Sequence, residues 1–145
     1  MQSKVQVWIY QRPGRPSAKP LVLLLKMRPD RGGRWQPVTG KVEKGESFVD
    51  AALREAQEET SIPFSESPKD GGYEFEFEGQ WGRAHEKVFS LEAPQDFDPK
   101  NVKIDPKEHV DFEWLSLTAA RAKSGYPSNQ IGLDHVAKSL GWAIE

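Results

Sequence analysis

The chain has 145 residues, about one domain by the usual size prior, with 20 Lys+Arg against 22 Asp+Glu and a net charge of −2. That balance excludes a strongly basic nucleic-acid binder working by bulk phosphate neutralisation and argues against a long nucleic-acid partner. It leaves room for a small nucleotide held by a few local cations. Cysteine is absent, which excludes disulfide scaffolds, thiolate zinc sites and Cys nucleophiles.

Hydrophobic residues make up 37% of the chain and include five Trp, enough apolar material for a packed core rather than a disordered chain. No apolar run approaches the roughly 18 residues that a membrane span needs. The stretch from Met1 to Gln11 lacks the apolar region of a secretory signal. With the missing cysteines, these features lead to the expectation of a soluble, cytoplasmic protein with no membrane partner.

In chain order, Lys4–Tyr10 is rich in Val, Trp, Ile and Tyr and reads as a strand. Gln11–Pro20, with three Pro and one Gly, reads as a loop. Leu21–Leu25 is a continuous apolar run of strand length, expected to be buried on both faces. Pro29–Gly33 reads as a turn, and Trp35–Val38 as a short extended piece leading to Gly40. Ser47–Glu59 gives the clearest helix, with an apolar stripe at Val49, Ala52, Leu53, Ala56 and Thr60, Ser47 as N-cap and Pro63 as the stop.

Ser65–Gly72 reads as a polar loop, and the strict alternation of Tyr73–Glu78 as a strand with one wet face. Lys87–Leu91 and Val110–Leu115 read as further strands. Ser116–Lys123 and Ser128–Leu140 read as helices, the second capped by Ser128. The order implies an α+β (α/β) sandwich with a central mixed sheet, residues 1–145 forming one domain.

The stretch from Gly40 to Ile62 carries the chemistry. On a helix of 3.6 residues per turn, Glu55 and Glu59 stand about 40° apart, and Glu58 about 60° to the other side of Glu55. Three carboxylates on one face repel, at a cost of roughly 0.2–0.5 kcal/mol per i,i+4 pair. A positive partner is needed: Arg54 or a nearby Lys, or a hard divalent cation, which prefers carboxylate oxygen. Glu46 can reach the same region through the loop Gly40–Gly45, whose glycines permit close backbone approach. A solvated acidic face with surface ion pairs is the bland alternative.

The full pattern resembles the Nudix box, G-x5-E-x7-R-E-U-x-E-E-x-G-U, in which U is a bulky aliphatic. Gly40, Glu46, Arg54, Glu55, Glu58 and Glu59 match at the right spacing, and Ile62 fits. At about 7% per residue type, six matches by chance are on the order of 10⁻⁵ over this length. Ala56 is small for its position, and Ser61 stands where the box has Gly. Ser would pay roughly 1–2 kcal/mol for the left-handed conformation, so the helix is expected to end differently.

The resemblance implies an α/β/α sandwich and hydrolysis of a nucleoside diphosphate linked to another group, assisted by Mg2+ or Mn2+. It implies Glu55 and Glu59 as metal ligands, Glu58 as ligand or base, and Arg54 as the residue that orients the glutamates.

Three further segments, Trp35–Glu46, Glu108–Leu115 and Tyr126–Val136, resemble the dihydroneopterin triphosphate diphosphatase branch of bacterial folate synthesis. That likeness implies a triphosphate cleaved to the monophosphate and pyrophosphate. It also implies Glu108 as a further metal ligand or the base, and Arg28, Trp35, Thr39, Gly40 and Ser128 as substrate contacts. Trp81 and Arg83 are weaker candidates for ring and phosphate contacts, and a His85–Glu86 relay is set aside.

The alternatives are ADP-ribose, nucleotide sugars, dinucleoside polyphosphates or a capped RNA end as substrate, and, more remotely, a non-catalytic binding module. The general base stays open among Glu58, Glu59 and Glu108. The number of metals and the oligomeric state, a homodimer included, stay open too.

Overall fold

The computed structural model describes residues 1–12, 14 and 19–142. Its elements are β1 (Gln2–Gln11), β2 (Leu21–Met27), β3 (Trp35–Gln36), β4 (Val38–Lys41), α1 (Phe48–Thr60), β5 (Lys69–Gly79), β6 (Gly82–Glu92), β7 (His109–Leu115), α2 (Leu117–Lys123) and α3 (Pro127–Ser139), with single 3-10 turns at Pro29–Arg31 and Pro99–Asn101. Part of the loop expected at Gln11–Pro20 lies outside the described residues.

One mixed sheet runs β3-β2-β1-β6-β5, with β4 added to β1 and β7 to β2. β1 pairs in parallel with β6 along nine residues, from Gln2–Ala84 to Tyr10–Glu92; the other pairings are antiparallel. β1 meets β2 only at Tyr10–Val22 and Gln11–Leu21. Its N-terminal half pairs instead with β4, from Lys4–Lys41 to Val7–Val38. The sheet is therefore split between β1 and β2, and the short strand β4 occupies the split.

Period-two alternation sorts each strand into two cores. Val5, Val7, Ile9, Leu23 and Leu25 pack with Ala51, Ala52 and Ala56 of α1 on one face. Trp8, Tyr10, Val22, Leu24 and Val88 pack with Leu117 and Ala120 of α2 and Leu133 and Val136 of α3 on the other. Val22–Leu25 is buried on both faces, as a continuous apolar run requires. Fully burying each of these side chains contributes roughly 1.5–3 kcal/mol. The result is the expected α/β/α sandwich.

Several boundaries differ from the sequence reading, each for a local reason. β5 begins at Lys69, inside the predicted polar loop, because its edge position tolerates polar residues. A register shift between Asp70 and Glu74 then absorbs the two glycines. β6 begins at Gly82 rather than Lys87, since hairpin pairing with β5 extends it.

Val49, placed in the buried stripe of the helix, is 39% exposed, and Ala51 is buried in its place. Phe48 packs on the core from the start of the helix. Ser47 caps α1 as predicted, its Oγ accepting from Asp50 N at 3.1 Å. The C-terminus overturns the expectation about Ser61. The residue adopts φ 58°, ψ 20°, and its N–H donates to Gln57 O at 2.8 Å. The helix ends as a glycine-terminated one would, with a serine carrying the strain.

Ser128 does not cap α3. Tyr126 is the cap residue and makes no side-chain cap bond; Pro127 opens the helix, and Ser128 sits in its first turn. Proline fits there because its missing N–H is one that no helical carbonyl would have received.

Candidate active site

Loop 43–47 and helix α1 build the acidic wall. The Arg54 guanidinium donates from Nε to Glu46 Oε2 at 2.8 Å and from Nη2 to Glu46 Oε1 at 3.0 Å, a two-pronged pair. Nη1 reaches Glu55 Oε1 at 2.9 Å and Glu58 Oε2 at 3.3 Å, and Nη2 also donates to Lys41 O at 2.8 Å. One cation thus clamps the loop, the helix and β4 together. The Arg54 hydrogen bonds, with a backbone hydrogen bond from Glu43, hold the Glu46 carboxyl down at about 2. Its acidic partners push the Arg54 guanidinium further up.

Glu55 behaves in the opposite way. Burial, opposed by Arg54 and reinforced by the charges of Glu58 and Glu59, pushes its carboxyl up to about 6. Its position explains Gly40. A Cβ at residue 40 would lie 2.1 Å from the Glu55 carboxyl carbon. The bare backbone of β4, in the split of the sheet, gives the α1 carboxylate its place.

Glu59 is 7% exposed, so it is no solvated surface acid. Its Oε2 lies 2.8 Å from His109 Nδ1, out of hydrogen-bond alignment. Neither atom has a hydrogen-bond partner among the described residues. Glu108 stands just before β7. Arg28 N donates to its carbonyl at 3.3 Å, and Arg31 Nη1 donates to its Oε2 at 3.1 Å.

Glu55, Glu58, Glu59 and Glu108 line one open cleft of about 1080 Å³, together with Arg54, Thr39, Gly40 and Ser128. The fold therefore brings most of the sequence candidates to one place. Two do not join them. The Arg28 guanidinium is engaged by Asp30 at 3.0 Å and by Lys107 O. Trp35 packs against the α2/α3-side core, with Lys123 Nζ 4.1 Å from its ring centroid.

Trp81 is 72% exposed at the β5–β6 turn and lines the cleft rim. Arg83 is paired with Glu76 and Glu78 across the hairpin. His85 lies 3.2 Å from Glu74, and strand alternation puts it on the sheet face opposite Glu86, so the two form no relay.

Sequence reading missed the cleft floor. Lys41, Lys4, Glu86 and Phe75 stand in register on β4, β1, β6 and β5, and all four line the cleft. Asn129, 2% exposed, closes the α3 side. The available signal was the alternation of Lys4, Gln6 and Trp8 along β1, which places a polar row beside Trp8. The pairing with β6 cannot be read from one strand.

Among the described residues no three His, Asp or Glu side chains converge as an assembled metal site. The donor set nevertheless suits a hard cation. It is all carboxylate, and Glu59 Oε2 is a buried oxygen with the His109 ring nitrogen 2.8 Å away.

A mixed sheet is sandwiched between helices, with a carboxylate-rich helix facing a cleft that also holds two lysines. The NUDIX domain family profile matches residues 2–135: the chain belongs to the NUDIX family. It is 37% identical over 105 residues to an octanoyltransferase of Myxococcus xanthus (68% of this chain, 27% of that protein). It is 33% identical over 87 residues to the asymmetrical bis(5'-nucleosyl)-tetraphosphatase of Sus scrofa (59% of this chain, 58% of that protein). The chain thus matches about a quarter and somewhat over half of these relatives' lengths.

Among solved structures, it superimposes on the E. coli dihydroneopterin triphosphate pyrophosphohydrolase with a TM-score of 0.75 and 27% identity, covering 94% of this chain and 95% of that one. It superimposes on a C. elegans Ap4A hydrolase binary complex with a TM-score of 0.79 and 22% identity, covering 97% and 98%. The latter likeness is one of fold. Among the described residues no helix is long and apolar enough to cross a membrane.

Proposed function

We propose that this chain is a magnesium-dependent pyrophosphohydrolase that cleaves a dihydroneopterin or nucleoside triphosphate to the monophosphate plus pyrophosphate. The observation that carries this reading is that Glu55, Glu58, Glu59 and Glu108 line one cleft, Glu59 from a buried position. The 27% identity to the E. coli pterin enzyme across nearly the whole chain supports the triphosphate substrate. A cytoplasmic setting belongs to the same reading.

These four carboxylates would hold the divalent cation, Mg2+ or Mn2+. When bound, it supplies neutralisation of phosphate charge and a more acidic water. Arg54 fixes the directions of Glu55 and Glu58 through its paired bonds, and Lys4 and Lys41 on the floor attract the phosphate chain. Thr39, Gly40 and Ser128 bound the substrate's path along the cleft.

In the reaction, water adds to phosphorus, the bridging P–O bond breaks, and pyrophosphate leaves. The water proton passes to one of Glu58, Glu59 or Glu108. The buried Glu59, beside His109, and the half-buried Glu108, beside Arg31, offer a base in quite different surroundings.

A second reading, hydrolysis of a dinucleoside polyphosphate, is favoured by the 33% identity to the porcine tetraphosphatase. ADP-ribose and nucleotide sugars stand behind it. A magnesium-dependent turnover panel with product identification tests both. The panel holds dihydroneopterin triphosphate, the common nucleoside triphosphates, ADP-ribose and a diadenosine polyphosphate. Pyrophosphate released from a triphosphate, with the highest kcat/KM in the panel, is the expected result. Activity confined to the dinucleotide or ADP-ribose would overturn it.

A further inference from the structure

Strand β7 carries one residue too many where it passes the acidic helix. Its pairing with β2 runs in step from Val22 with Leu115 to Lys26 with Asp111, and then Met27 pairs with His109 rather than with Val110. Val110 is the extra residue, 48% exposed. A bulge of this kind reverses the alternation of faces for what lies beyond it. Leu23 and Leu25 face α1, and their partners Trp114 and Phe112 join them there. In unbroken register Val110 would come next on that face, and His109 would turn to the opposite one. The bulge instead brings His109 to the α1 face.

There the imidazole meets Glu59 of α1, with Nδ1 2.8 Å from Oε2. Both side chains are buried. The separation is a hydrogen-bond length and the alignment is not, so a turn of one of the two planes completes the bond. The backbone beneath the ring is pinned. His109 N donates to Asp105 O at 2.9 Å, and Glu108 O accepts from Arg28 N at 3.3 Å. The ring is thus a fixed post, whereas the Glu59 carboxylate sits at the end of a flexible side chain. His109 stands behind Glu59, away from the cleft that Glu59 lines.

We infer that His109 is a positioning residue for Glu59, aimed at it by the bulge at Val110. Its Nδ1–H holds Oε2 inward, which leaves Oε1 for a divalent cation in the cleft. A carboxylate already held by one oxygen has less rotamer freedom to lose when the other binds. A donor on the far side of a ligand also fixes the direction in which that ligand points. The inference rests on the metal part of the proposed reaction and not on the identity of the substrate.

The test is calorimetric titration of the full chain with Mn2+ alone, for wild type, His109→Phe and His109→Asn. Phe keeps a ring and loses the donor, whereas Asn returns an amide donor close to the place of Nδ1. His109→Phe should bind Mn2+ about 10- to 100-fold more weakly, the range for losing the partner of a metal ligand. Its KM for substrate at saturating metal should change little. His109→Asn should recover most of the lost affinity. Thermal melting checks that each variant is folded. A measurement on the wild type needs no variant: heteronuclear NMR of the imidazole should show Nδ1 carrying the proton, since only then can it donate to Glu59.

Equal Mn2+ affinity in wild type and folded His109→Phe, no tighter binding by His109→Asn than by His109→Phe, or a proton on Nε2 alone would overturn the inference. The two readings fail separately. Mn2+ binding that depends on His109, without turnover of any phosphoanhydride, leaves the positioning role standing and removes the proposed reaction. Turnover with a metal affinity indifferent to His109 does the reverse.

Discussion

The two ends of the cleft solve the problem of holding polar groups in opposite ways. At the α1 end, one guanidinium serves four carboxylates, Glu43, Glu46, Glu55 and Glu58, from partly exposed positions. Bonds there can be exchanged for those of an arriving cation without rebuilding the fold. At the α3 end, Trp8 and Gln6 are sealed between sheet and helix, Glu86 is buried at the cleft floor, and each donor has one destination. The first arrangement suits chemistry in which charge changes during a cycle. The second suits a fixed floor, where the pattern must not rearrange. Exposure separates the two more than residue type does, since a glutamate is central to both.

That contrast can be broken most decisively at Glu59. Glu59→Gln keeps the volume and removes the charge. It should lower turnover by about 100-fold, the upper range for losing a group around a metal, while the fold stays intact by thermal melting. Near-normal turnover at low magnesium would break the division between the two ends.

Gly40→Ala comes next. The added methyl meets the end of a flexible side chain, so stability should fall only at the low end of the about 1–3 kcal/mol typical of overpacking. Turnover should fall at least tenfold, because Glu55 is displaced from its place. Denaturant unfolding alongside kinetics separates the two effects.

Glu55→Gln should stabilise the metal-free protein at pH 7 by about 1–2 kcal/mol while abolishing most turnover. Burial raises the Glu55 carboxyl to about 6, so its favourable protonated state is fully populated below 4.5 and is lost as pH rises through 6. Thermal melting with and without magnesium checks this, and magnesium should raise the melting temperature of wild type more than that of the variant.

Glu46 has the opposite sign. Held down at about 2, it contributes stability above its ordinary 4.5 that is lost as pH falls from 4.5 toward 2. Arg54→Gln should therefore show a shallower loss of melting temperature over that acid range than wild type. The smallest effect belongs outside the cleft. Ser61→Gly should gain about 1 kcal/mol by relieving the left-handed φ of 58°, with turnover unchanged.

The acidic end was legible in the sequence because it is local. Gly40, Glu46, Arg54, Glu55, Glu58 and Glu59 lie within 20 residues of one another, and helix periodicity alone aligns three of them. Leu21–Leu25 and Tyr73–Glu78 were legible for the same reason, each pattern being complete within one strand. The floor was not, since Glu86 meets Gln6 across 80 positions through a parallel pairing. No local pattern reports which strand lies beside which.

Trp35 shows the limit from the other side. The family resemblance made it a substrate contact, with a core position equally open, and the pairing of β3 with β2 turns it into the α2/α3-side core. Ser128 read as a helix cap, but the following Asn129 is the buried residue and Pro127 already sets the helix start.

The row from Lys41 through Lys4 and Glu86 to Phe75 runs across the strands rather than along them. Its length is set by three inter-strand gaps, each about 4.8 Å, or about 14 Å in all. Hydrogen bonding fixes that spacing, so no insertion in a loop can stretch it and no substitution can shorten it. Such a row works as a ruler with strands for its divisions. Anything that lies along it changes partners by exchanging side chains at fixed marks, while the distance between the marks stays the same.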